Sequence, residues 1–76
     1  SYNATLRNLL SSLAIQKAIG DDFGEVVTLN TIGEATRSKG DYKASHSYLE
    51  QALKLAQDIG DKSGEGTSAP LSRDLE

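Results

Sequence analysis

A chain of 76 residues holds one small domain at most, and a core of that size draws part of its stability from whatever packs beside it. With 37% apolar residues, 25% charged residues and a net charge of −3, the composition is that of a folded chain and not of a disordered one. Eight Lys and Arg scattered singly among eleven acids give nucleic acid no basic face, the absence of cysteine removes disulfides and thiolate chemistry, and no apolar run reaches the roughly 18 residues of a membrane span.

The chain opens on Ser1-Tyr2-Asn3-Ala4, which lacks the basic start of a signal peptide, so a soluble, cytoplasmic protein is the default expectation. Apolar residues at helical spacing then predict a first helix over 2–19, with a stripe of Tyr2, Thr5, Leu9, Ser12, Leu13, Gln16 and Ile19. Ile19-Gly20-Asp21-Asp22 ends it: Gly20 suits the left-handed position past a helix end, and Asp22 with Glu25 three residues on reads as a capping box. A second helix follows over 23–39, with a stripe of Val26, Leu29, Ile32, Gly33 and Thr36. Ser38-Lys39-Gly40-Asp41 is the next break, with Asp41 as the N-cap of a third helix over 42–59 whose stripe is Tyr42, Ser45, Leu49, Ala52, Leu53, Ala56 and Ile59. Ile59-Gly60-Asp61 reads as a repeat of the stop.

Each predicted helix is about 25 Å long, and links of two to four residues force successive helices to run antiparallel and touch. The small stripe members Gly33, Ser45 and Ala52 are expected to let two axes approach while Leu and Ile fill the notch. Beyond Gly64 the pattern fails at Gly66, Thr67, Ser68 and Pro70, so 66–76 is expected to be a disordered tail.

Shifted by 40 positions, the chain matches itself. Tyr2, Ala4, Leu9 and Leu13 meet Tyr42, Ala44, Leu49 and Leu53, Ile19-Gly20-Asp21 meets Ile59-Gly60-Asp61, and Gly24-Glu25 meets Gly64-Glu65. These are nine identities over 24 gapless positions, and they fall on apolar, glycine and cap positions, where structure dictates the residue. Equivalent side chains are therefore expected to be buried alike.

These residues resemble the tetratricopeptide repeat. Its register reads here as Leu29, Ile32-Gly33 and Thr36, then Ser45, Leu49, Ala52 and Gln57. Gly33 and Ala52 match the signature, whereas Thr36 and Gln57 depart from it. Gly40-Asp41-Tyr42 is similar to the family's turn, Ala52-Leu53 to its closing pair, and Leu29-Asn30-Thr31-Ile32-Gly33-Glu34 to its first-helix segment. The 40-residue period resembles the longer subclass of kinesin light chains and bacterial signalling proteins rather than the 34-residue repeat. The resemblance spans 2–65 and implies an all-α fragment of an α-solenoid, about one and a half repeats cut from a longer array.

It also implies a binding module whose concave face holds a protein or peptide ligand, with no cofactor. The outward positions of the second helix would face that groove: Val27, Asn30, Glu34 and Arg37, with Ser38 beside them. Asn30 carries a donor and an acceptor for a peptide main chain, and Arg37 suits a carboxylate. The family's carboxylate clamp has Lys where Asn30 stands and Asn where Glu34 stands, so capture of chaperone tails is not implied. The competing reading of these residues is a solvated helix face. A second expectation is self-association into a homo-oligomer, because an array cut short leaves its end helices uncovered. Leu6, Leu10, Tyr48 and Leu55 lie off the main stripes and are the residues expected to mediate it.

Catalysis finds no foothold. His46 and Glu50 form an i,i+4 surface pair, one His and one carboxylate, short of the three or four ligands of a metal site. Ser45 and Ser47 flank His46 in sequence and so point away from it, and the Gly-Asp-x-x-Gly segments follow no strand, unlike a phosphate-binding loop. Tyr42 and Tyr48 occupy packing positions and are expected in the core.

Overall fold

The computed structural model describes residues 1–63, and the expected tail lies outside them. The described residues are all-helical: α1 (Tyr2–Ile19), α2 (Asp22–Lys39) and α3 (Tyr42–Ser63). No helix among them is long and apolar enough to cross a membrane.

The two turns are built alike, from the same Gly-Asp pair. Gly20 and Gly40 have φ of 76° and 97°, a region that costs any residue with a Cβ. In the first turn Gly20 N–H donates to Lys17 O and Asp21 N–H to Gln16 O; in the second, Gly40 N–H donates to Arg37 O and Asp41 N–H to Thr36 O. This pairing satisfies carbonyls that a helix end leaves open. The aspartate that completes each stop also starts the next helix. Asp21 Oδ1 accepts from Gly24 N–H at 3.0 Å, and Asp41 Oδ1 accepts from Ala44 N–H at 3.2 Å. The cap of α2 is therefore Asp21 and not Asp22, which lies inside the first turn, because the glycine stop leaves the very next residue in the capping position.

The third Gly-Asp does not stop its helix: α3 runs through Gly60 to Ser63. A left-handed glycine is adopted where the chain must double back, and at Gly20 and Gly40 the following helix docks and repays the turn. At Gly60 the chain continues as helix, at a cost of only about 1 kcal/mol relative to Ala.

The helices lie in one row in chain order. α2 lies in the middle and packs on both neighbours, while α1 and α3 do not approach each other. The core follows from this arrangement. Leu29, Ile32, Gly33 and Thr36 of α2 are buried, joined by Leu13 of α1 and by Ser45 and Ala52 of α3.

The α2–α3 contact turns on Gly33. A Cβ there would stand 2.6 Å from Leu49 Cδ2, so only glycine leaves Leu49 its place. The Gly33 carbonyl accepts from Ser45 Oγ at 2.7 Å and from Thr36 Oγ1 at 3.0 Å. Thus the buried hydroxyls are satisfied and the register of α3 on α2 is fixed by a polar contact inside an apolar seam.

Burial does not repeat with the sequence. On α1 the buried arc runs through Tyr2, Leu6, Leu9, Leu13 and Gln16; on α3 it runs through Ser45, Tyr48, Ala52, Leu55 and Ile59, which are different positions of the period. Leu9 and Leu49 are both half-buried, but Leu13 is 8% exposed whereas its equivalent Leu53 is 60% exposed. Tyr42, expected in the core, is 70% exposed, and Ile19 is exposed as well. The reason is geometric: α1 and α3 meet α2 from opposite sides, so one sequence pattern turns two different arcs towards it.

Candidate functional site

α2 is packed on both flanks, and its remaining side faces water. At about 100° per residue, positions spaced by four and three share a stripe, which here is Phe23, Val27, Asn30, Glu34 and Arg37. All five are exposed, as is Ser38 beside them, and the stripe lies opposite Ile32, which is fully buried. Every groove residue expected from sequence therefore lies on the free face of the central helix.

Sequence reasoning missed Phe23. It was read as the start of a helix, although its spacing of four from Val27 already placed it on the stripe. Phe23 is 72% exposed and Val27 64%, so two apolar side chains stand one turn apart in water. The stripe is graded along its length: apolar at the N-terminal end, an amide at Asn30 in the middle, and the opposite charges of Glu34 and Arg37 at the C-terminal end. Thr31 Oγ1 donates to Val27 O at 2.9 Å, so that hydroxyl is already engaged beside the stripe.

The four residues expected to mediate self-association fare differently. Leu10 is exposed, but Leu6, Tyr48 and Leu55 are half-buried and pack against the core. They lie off the stripes read from sequence because those stripes were centred on the shared pattern. The arcs that touch α2 are rotated away from it and take these three residues in.

His46 Nε2 lies 3.6 Å from Glu50 Oε2, with both side chains well exposed, a pair of small energetic weight. A concavity of about 340 Å³ opens between the start of α2 and the end of α3, with Leu55 and Ile59 flanked by Asp22, Asp58, Asp61 and Lys62. It exists because α3 continues past Gly60, and no sequence signal marked it. Among the described residues no group of three or more His, Asp or Glu is placed to hold a metal ion.

No protein-family model, curated protein or solved structure matches the chain.

Proposed function

We propose that the chain is a protein-interaction module of the tetratricopeptide type, which holds an extended or helical peptide segment along the open stripe of α2. The observation that carries this reading is the pair Phe23 and Val27, left in water on a helix whose other faces are packed. Aromatic side chains, Phe included, are enriched in protein interfaces relative to the rest of the surface. Asn30 then offers main-chain hydrogen bonds of either sense, and Glu34 and Arg37 provide a polar, charge-reading end. The function proposed is binding and not catalysis.

The test is a selection of random displayed peptides on the full chain. Selected peptides are expected to bind Phe23→Ser and Asn30→Ala at least about tenfold more weakly, while helical circular dichroism stays unchanged in both variants. Peptides that ignore both substitutions refute the stripe.

Self-association is the second reading. Among the described residues seven large apolar side chains remain exposed, spread over all three helices: Leu10, Ile15, Ile19, Phe23, Val27, Tyr42 and Leu53. Sedimentation equilibrium showing a strict monomer at high concentration rules this reading out.

A further inference from the structure

The seam between α2 and α3 ends in a concavity that the α2 stripe does not use. Gly33 lies against Ser45 and Leu49, and stepping equally far back along α2 and forward along α3 brings Asp22 opposite Asp58. There α2 begins, and the chain before it turns off towards α1 at Gly20 and Asp21, so the last turn of α3 overhangs the start of α2. Leu55 and Ile59, both half-buried, supply the apolar lining of this corner, and Asp22, Asp58, Asp61 and Lys62 stand around it.

Charge and shape together define the occupant. Three carboxylates outnumber one ammonium around the corner. Asp22 is half-buried with no cation at ion-pair distance among the described residues, and Asp58 has only Lys54, at 3.9 Å and well exposed. Among the described residues these carboxylates do not gather as metal ligands do. The volume of about 340 Å³ lies at the small end of ligand sites, which run from roughly 300 to 1,000 Å³, and suits one long side chain. An apolar stem with a cationic head matches both parts of the lining. Guanidinium fits better than ammonium, because it is more weakly hydrated and its fork reaches carboxylates on two sides. We propose that this corner binds an arginine side chain presented by a basic segment of another protein, with its methylenes on Leu55 and Ile59 and its guanidinium between Asp22 and Asp58.

Charge disfavours the two nearer occupants. A second copy brings a net charge of −3 against the same charge here, and residues 64–76 of the chain carry three acids and a single base, Arg73. Lys62, the one cation on the rim, opposes an incoming arginine and sets how tightly it is held.

The test uses the full chain with labelled methyl groups, titrated with the peptide acetyl-Gly-Gly-Arg-Gly-Gly-amide and followed by NMR. Saturable shifts of the Leu55 and Ile59 methyl signals are expected. The double variant Asp22→Asn with Asp58→Asn is expected to weaken binding at least about tenfold, and Lys62→Gln to strengthen it about two- to fivefold. None of these three side chains is buried, so the fold tolerates the changes, and circular dichroism verifies it. The same peptide with citrulline for arginine keeps the shape without the charge and is expected to bind at least about tenfold more weakly. Asn30→Ala, on the α2 stripe, is expected to change nothing. The proposal is overturned by the absence of saturable shifts at Leu55 and Ile59, by equal binding of the citrulline peptide, or by indifference to the double variant. Signals of Leu55 and Ile59 that move with protein concentration before peptide is added make a second copy the occupant, and signals moved by Arg73→Gln alone make it the chain's own residues; either result also overturns the proposal. None of these bears on the α2 stripe, whose test rests on Phe23 and Asn30.

Discussion

Gly33→Ala is the sharpest probe of the packing described above. The added Cβ would stand 2.6 Å from Leu49 Cδ2 and 2.7 Å from Leu49 Cγ, and 3.5 Å from Ser45 O. Two contacts to one side chain, one of them close to its backbone end, require Leu49 or the whole of α3 to move. Overpacking of this kind costs about 1–3 kcal/mol. Displacement of α3 also weakens the 2.7 Å bond from Ser45 Oγ to Gly33 O, a bond whose net contribution is about 1 kcal/mol. Against this stands the helix preference of Ala over Gly, about 1 kcal/mol in favour of the variant. The balance is a loss of about 2 kcal/mol, which in a domain of this size lowers Tm by roughly 10 °C. Urea and thermal denaturation followed by circular dichroism measure it. Leu49→Ala in the same chain supplies the control: the double variant is expected to recover most of the steric part, giving a coupling of at least about 1 kcal/mol in a double-mutant cycle. A Gly33→Ala protein as stable as the parent, or a cycle without coupling, refutes the notch.

Two further stability changes are expected. Gly60→Ala raises stability by up to about 1 kcal/mol, since Gly60 is helical and an added Cβ would stand in open space; a loss of stability would place it in a left-handed stop instead. Gln16→Met also raises stability, by about 1 kcal/mol in denaturant titration, because Gln16 Oε1 is buried without a hydrogen-bond partner and a thioether of similar length removes the unmet acceptor; an unchanged or lower midpoint counts against this.

Much of the fold was readable one residue at a time. Gly20 and Gly40 announced left-handed turns, the aspartates beside them announced caps, and Val26, Leu29, Ile32, Gly33 and Thr36, the apolar stripe read for the second helix, are all buried or half-buried. Those features depend on local backbone chemistry or on a helix flanked on both sides. What was misread depends on neighbours. Gly60 has the same Gly-Asp sequence as the earlier stops but lies inside α3, so the local preference for a turn is not realised there. Leu53 repeats Leu13, yet sits in water because burial is a property of the partner and not of the residue. At the candidate site the polar members were legible from their opposition to Ile32. Phe23 was not, because it stands at the very start of the helix, one turn before the first residue of the outward set.

A sheet of helices one layer deep has no centre, only a middle row. Almost every tertiary contact joins helices adjacent in the chain, so the separations to be closed on folding are short and assembly is expected to be fast. The same geometry sets how the molecule breathes: either outer helix can lift off while the other remains seated, and only α2 requires both neighbours to leave. Amide protection is then highest in the row through Leu29, Ile32 and Thr36 and fades towards both edges, which leaves the outer helices free to exchange one neighbour for another.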